Sequence, residues 1–453
     1  MLNKINIFLF IVFFIFSFIF VFVFYKSEII YNGSNRSYYT LYYLCSFFFL
    51  SLSLISIIIK NKTFKINTII FIIMIFISCY IFEIGVRLFT QFKNNEKIQK
   101  HIIEFEKQNP GEKFDLRNKI EIYEDLLKTN KDIAMNVPPS FYLLNQNSNF
   151  HPLTSKSNSI TINCNENGYY QIIKTDRYGF NNDDEIWNNN KFDFVFVGDS
   201  FTQGACVNKP DDIVSQFEIL ANQTVLNLGY GSNGPISEYA TLREYLEDKE
   251  FDNLVWLFYE GNDISEMYKE LRNPILKKYI ENENFSQQLI DRQDEINKIS
   301  EKIINDLYKT QKNKPFINFS SLKDFLKLSN LRSKLNLILP HKSHFGVLQP
   351  LPDENFNKVF KKIRKFSLNK NAKLYFVYLP EYKRYVNEIY DDRSYNKIKK
   401  IIKSFDIQFI DLKEGVFNKL NNPLNMFPFG SNGHYTEEGY RITGNYIYKK
   451  IEK

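Results

Sequence analysis

Three apolar runs near the N-terminus, residues 5–25, 41–59 and 66–82, constrain this chain more than any other feature. They are rich in Phe and Ile and lack the polar stripe of a helix packed on a water-soluble core. Each can cross a hydrocarbon layer of about 30 Å at about 1.5 Å per residue. They predict three transmembrane helices, at about residues 5–25, 40–59 and 66–88. A cleaved signal peptide is a poor reading of the first run, which is too long and has no Ala before Ala134 to make a cleavage site. Positive charge near the helix ends sets the expected orientation. The N-terminus carries Lys4, the first loop Lys26 and Arg36, and the second loop Lys60, Lys62 and Lys65. With the second loop inside, the N-terminus is cytoplasmic and everything after about residue 89 faces outward, a multi-pass protein of the inner, cytoplasmic membrane. Glu83 and Arg87, one helical turn apart, are expected to pair at the outer interface.

The net charge of +7 comes from Lys scattered through Asn-rich text, with no basic stripe, so no nucleic-acid partner is expected. There are four cysteines. Cys45 and Cys79 fall in the membrane runs. Cys164 and Cys206 fall in the outward part, where a disulfide is permitted but not dictated. No Cys or His spacing suggests a metal, and no cofactor is implied.

Residues 1–91 read as the membrane region and 92–150 as a helical juxtamembrane linker, broken at Pro138 and Pro139. From residue 151 to 453, strands alternate with helices. Apolar strand-like runs sit at 192–197, 224–228, 254–259, 374–379 and 407–412, with helical text between them. This predicts an α/β domain with a mostly parallel sheet. Residues of about 265–345 interrupt it with Lys-, Glu- and Asn-rich helical text, either a cap over a site or a solvated insertion.

In such a sheet, ligands meet the carboxyl ends of the strands. The first strand runs into FVFVGDSFTQG, which places Ser200 at that end. A serine there acts as a nucleophile only with a base, oxyanion donors and a group that orients the base. Three further stretches offer them: NLGYGSNG at 227–234, YEGNDISE at 259–266 with Asn262, and NGHYTEEGY at 432–440 with His434. Each lies after a strand or ahead of a helix.

These four blocks, in this order over roughly residues 175–451, resemble the SGNH (GDSL-type) hydrolase superfamily. The upstream text CNENGYY and TDRYGFNN resembles segments of its membrane-attached bacterial members. The resemblance implies a three-layer, flavodoxin-like domain with a parallel sheet. It implies Ser200 as nucleophile and His434 as base, with the N–H of Ser200, one from the turn at Gly231 and Ser232, and the amide of Asn262 as oxyanion donors. The family has an Asp two or three residues before the His; here Asn432 and Ser431 stand there. Asn432 is expected to hold the imidazole without stabilising its charge, unless a carboxylate such as Asp411 approaches from elsewhere. Activity is then expected to persist to lower pH than in an Asp-supported relative.

The implied function is a membrane-anchored, extracytoplasmic serine esterase. Its substrate would be an acylated carbohydrate or lipid of the envelope, with acetyl esters of carbohydrate leading. The alternatives are an O-acetyltransferase of surface polysaccharide with the same site, served by a membrane acyl-donor partner, and a catalytically degenerate glycan-binding module.

Overall fold

The computed structural model describes residues 2–30, 36–143, 150–312, 319–335, 351–387 and 389–452. The chain divides into two compact units, Met1–Lys100 with Lys314–His341, and His101–Asn313 with Lys342–Lys453.

Among the described residues, three helices that begin in the first unit are long and apolar enough to cross a membrane: Lys4–Ile30, Tyr38–Ile58 and Lys62–Gln108. They meet through Val12, Phe16 and Ile72, with the rings of Phe16 and Phe49 stacked at 4.7 Å. Side chains such as Phe18, Ile58 and Ile81 stay exposed, as lipid-facing residues would be. Glu83, predicted to face Arg87, has its carboxylate turned to the start of the helix Ser329–Lys334. It accepts the backbone N–H of Asn330 at 3.1 Å, the Asn330 side-chain amide at 2.8 Å and the N–H of Leu331 at 2.8 Å. Part of the predicted 265–345 insertion therefore clusters with the N-terminal helices.

Among its described residues, the second unit holds two sheets. The smaller has three short strands, β1 (Ile133–Met135), β2 (Ile160–Ile162) and β3 (Ile172–Lys174), in that order. The larger has five: β4 (Lys191–Gly198), β5 (Val225–Gly229), β6 (Glu250–Tyr259), β7 (Lys373–Leu379) and β8 (Gln408–Asp411). All its pairs are parallel, and the spatial order is β5-β4-β6-β7-β8. Counted from β4, that is the flavodoxin-like order 2-1-3-4-5. Alternate residues serve opposite faces, as the strand period requires. Val195 and Val197 join Trp256, Phe376 and the helices Pro235–Tyr245 and Glu354–Asn369 on one side. Phe194 and Phe196 join Val255, Val377 and the helices Ile213–Ala221 and Glu437–Ile451 on the other. Both faces are covered, so the strands are continuously apolar and the domain has three layers.

The segment before β4 is held by one buried carboxylate. Asp176 accepts the N–H groups of Tyr178 and Phe180, the Asn182 amide at 2.8 Å and the Trp187 indole at 2.7 Å. Burial pushes its pKa up to about 6, against these hydrogen bonds. Asn182 in turn exchanges hydrogen bonds with the backbone of Asn227 in β5. Asp176→Ala leaves four donors without an acceptor and is expected to cost roughly 3 kcal/mol or more. The melting temperature of the full chain should fall clearly further for it than for Asp176→Asn.

Candidate active site

β4 ends at Gly198, and the chain turns directly into a one-turn helix, Ser200–Gln203. Asp199 caps it, its carboxylate accepting the Phe201 N–H at 2.9 Å. Gly204, at φ 79°, ends it in the left-handed conformation that glycine tolerates. Ser200 therefore stands at the carboxyl end of the central strand, partly exposed. Its backbone N–H makes no hydrogen bond among the described residues.

His434 arrives from the loop ahead of the helix Glu437–Ile451. Its Nε2 is 2.9 Å from the Ser200 hydroxyl. Its Nδ1 is 3.1 Å from Oε2 of Glu166, and the same oxygen accepts the His434 backbone N–H at 2.6 Å. A carboxylate at Nδ1 keeps the proton there and leaves the Nε2 lone pair for the Ser200 hydroxyl. Hydroxyl, imidazole and carboxylate thus form one chain of hydrogen bonds, the arrangement that activates a serine.

Burial alone would push the His434 pKa down. The hydrogen bond and charge of Glu166, with the charge of Asp199, outweigh it and hold the imidazole above its ordinary value. Burial likewise pushes Glu166 up, but its hydrogen bonds with His434 and the attraction between the two hold it below the usual carboxylate range. The expectation of an unsupported histidine is overturned. So is the position given to Asn432, which is exposed and makes no hydrogen bond to the ring among the described residues. Asp411 is engaged elsewhere, by Tyr395 at 2.6 Å and Lys399 at 2.8 Å.

Sequence reasoning missed Glu166, although it lies in the CNENGYY block. The usable signal was the pair Cys164 and Cys206, which form a disulfide. That bond ties the Glu166 segment to the loop after Ser200. The approach also needs glycine at 433, where a Cβ would lie 2.6 Å from Glu166 Oε2.

Of the residues expected to supply further oxyanion donors, Gly231 packs beside Ser200, and a Cβ built there would lie 3.7 Å from the Ser200 Cβ. The Gly231 N–H already donates to Gln203 Oε1 at 3.1 Å, so it is not a free donor. Ser232 takes the left-handed conformation at φ 68°, and its N–H has no partner among the described residues. Asn262, just after β6, donates one amide N–H to Asp199 Oδ2 at 3.2 Å and keeps the other. Asp199 is fully buried, and desolvation raises its pKa.

Ligand atoms of Cys164, Cys206 and His434 lie within 4.8 Å of one another. The two sulfurs are bonded to each other and have no thiolate to offer a metal.

No protein-family model matches the chain, and no curated protein matches it in sequence. Among solved structures, the chain is similar to a protein from Desulfitobacterium hafniense DCB-2 described as lipolytic and of the G-D-S-L family. The identity is 14%, the TM-score 0.31, and the match covers 58% of this chain and 99% of that one.

The electrostatics generate a titration prediction. Glu166→Gln removes the charge and weakens the hydrogen bond that raise the His434 pKa, while burial still lowers it. The His434 pKa, followed by NMR, should lie above the ordinary value of a histidine in the native protein and clearly lower in Glu166→Gln.

Proposed function

We propose that this protein is a membrane-anchored, extracytoplasmic serine esterase of SGNH type, acting on acyl esters, acetyl above all, of cell-envelope carbohydrate through an acyl-serine intermediate. The observation that carries the reading is the Ser200–His434–Glu166 chain, at 2.9 Å and 3.1 Å, at the carboxyl end of the central strand.

In the proposed reaction, His434 Nε2 takes the Ser200 proton as Oγ attacks the ester carbonyl carbon. The proton on Nδ1 stays hydrogen-bonded to Glu166, whose negative charge stabilises the imidazolium. Charge building on the carbonyl oxygen meets the N–H groups of Ser200 and Ser232 and the second amide N–H of Asn262. A single donor of this kind is worth about 3 kcal/mol in the transition state. The tetrahedral species collapses, and His434 returns the proton to the leaving alkoxide. A water, or a sugar hydroxyl in the transferase variant, then gives its proton to His434 and attacks the acyl carbon; His434 passes that proton to the departing Ser200 Oγ, which restores the hydroxyl and the neutral imidazole. Hydrolysis and O-acetyl transfer share every group named here and differ in the acceptor admitted. The Glu166 carboxylate argues against a degenerate, purely glycan-binding site, because a carboxylate on Nδ1 serves proton transfer.

Topology supports the substrate class. Three helices suited to a membrane, and a disulfide that belongs in an oxidising compartment, fit a tethered catalytic unit facing the envelope. The loop charges favour the same orientation.

The full chain in detergent should hydrolyse p-nitrophenyl acetate and take a fluorophosphonate label on Ser200. Ser200→Ala should abolish labelling and lower kcat by as much as about a millionfold. Glu166→Gln should lower kcat by up to about ten-thousandfold. Because a base must be neutral to work, a raised His434 pKa places the acid limb of the native rate profile at higher pH than in Glu166→Gln. Equal rates for native protein and Ser200→Ala would refute the nucleophile.

A further inference from the structure

Glu166 belongs to neither the sheet that carries Ser200 nor the loop that carries His434. It lies on the connection between β2 and β3, which is held at two places: Tyr169 donates to the carboxylate of Glu437, three residues after His434, and the rest is fastened to the loop after Ser200. Cys164, two residues before Glu166, is bonded to Cys206, six residues after Ser200. Around this bond, the Asn167 amide donates to the Cys206 carbonyl at 3.0 Å, and the Cys206 N–H donates to Gln171 Oε1 at 2.7 Å. The Gln171 amide donates to the carbonyls of Gly204, at 2.7 Å, and Val207. Cys206 itself sits at φ 69°, and its Sγ is 3.4 Å from His434 Nδ1. The disulfide is therefore packed against the same ring nitrogen that Glu166 holds.

We infer that the Cys164–Cys206 disulfide is a positioning element of this site: it holds Glu166 on His434, and its reduction by a dithiol turns the site down reversibly. The inference rests on the proposed acyl-transfer reading for its effect on rate, but not for its effect on the His434–Glu166 hydrogen bond.

The chemistry is thiol–disulfide exchange. Cys164 is partly exposed and Cys206 is buried, so the thiolate of a dithiol meets the sulfur of Cys164. A bond forms between the reagent sulfur and Cys164, the protein S–S bond breaks, and Cys206 leaves as a thiolate that takes up a proton. The second thiolate of the reagent then attacks its own bound sulfur, releasing Cys164 as a thiolate that is protonated in turn. Two electrons pass from the dithiol, which closes its own disulfide, to the protein, which ends with two thiols. The hydrogen bonds of Asn167 and Gln171 remain, so the segment is loosened and not unfolded. A displacement of about 1 Å at a catalytic group costs roughly a hundredfold in rate. A carboxylate that must also stay against Gly433 has little room to move without losing the ring.

The test compares the full chain in detergent, untreated, reduced with dithiothreitol, and reoxidised, for native protein and Glu166→Gln. Two readouts are followed: kcat and KM for p-nitrophenyl acetate, and the far-downfield proton resonance of the His434 Nδ1–H bound to a carboxylate, assigned by its loss in His434→Gln. Reduction is expected to lower native kcat tenfold to a hundredfold with little change in KM, to erase the downfield resonance, and to be reversed by reoxidation. Glu166→Gln, which has no carboxylate left to misplace, should change less than about threefold. A purely structural disulfide would lower both proteins by the same factor, and that result overturns the inference. So does a reduced native protein that keeps its rate and its resonance. If the untreated native protein hydrolyses no ester and takes no fluorophosphonate, the esterase reading fails. The resonance then decides the positioning claim alone: lost on reduction it stands, retained it falls. Cys164→Ser should reproduce the reduced state without reagent, and a melting temperature near the native one shows that folding is not the cause.

Discussion

One close approach governs this site: the carboxylate of Glu166 against the turn that carries His434. A single oxygen accepts both the backbone N–H and the ring Nδ1 of that residue. The backbone contact fixes where the carboxylate sits, and the ring contact fixes which nitrogen keeps the proton. The orientation of the imidazole follows, and with it the 2.9 Å contact between Nε2 and the Ser200 hydroxyl. Glycine at 433 is what makes the approach possible, since a side chain there would occupy the space of the carboxylate. The electrostatics point the same way. Two partly buried groups that would each be neutralised by burial alone instead favour opposite charges together.

The rest of the domain can be understood as the frame around that approach. The parallel sheet delivers Ser200 and Asn262 from adjacent strands, β4 and β6, on the two sides of the point where the strand order reverses. The small sheet β1–β3 does different work, holding the strap from which Glu166 projects. Asp176 and Asn182 stitch the segment after the strap onto β5. Buried carboxylates recur here, each accepting directed N–H groups, which is the condition under which a charge tolerates burial. Asp199 shows the economy of this design: one carboxylate caps the Ser200 helix and orients the Asn262 amide.

The N-terminal unit follows the same rule in apolar surroundings. Glu83 is almost fully buried within a helix suited to a membrane, and its carboxylate is met by three N–H groups from Asn330 and Leu331. A carboxylate in such a place needs directed donors. The donors come from a segment nearly 250 residues away in sequence, which helical spacing within one run cannot reveal.

Local pattern made much of this protein legible. Apolar length predicted the three N-terminal helices, and continuous apolar runs predicted the five strands of the main sheet to within a few residues. Strands buried on both faces also imply the helices that cover them. The loops at the strand ends marked Ser200, Asn262 and His434 as residues able to converge, since a parallel sheet places those loops on one edge. The identity of the carboxylate was not legible. Beside the histidine in sequence stands Asn432, and the main sheet offers Asp411; neither is the partner of the ring. Glu166 lies 268 positions from His434, on a strap outside the main sheet. Periodicity and spacing report neighbours along a helix or across a strand, and they are blind to a contact made by one loop closing on another. The sequence by itself determined the layers and the edge on which a site must lie. Only the tertiary structure, through a disulfide, a missing Cβ and one shared oxygen, decided which carboxylate meets the ring.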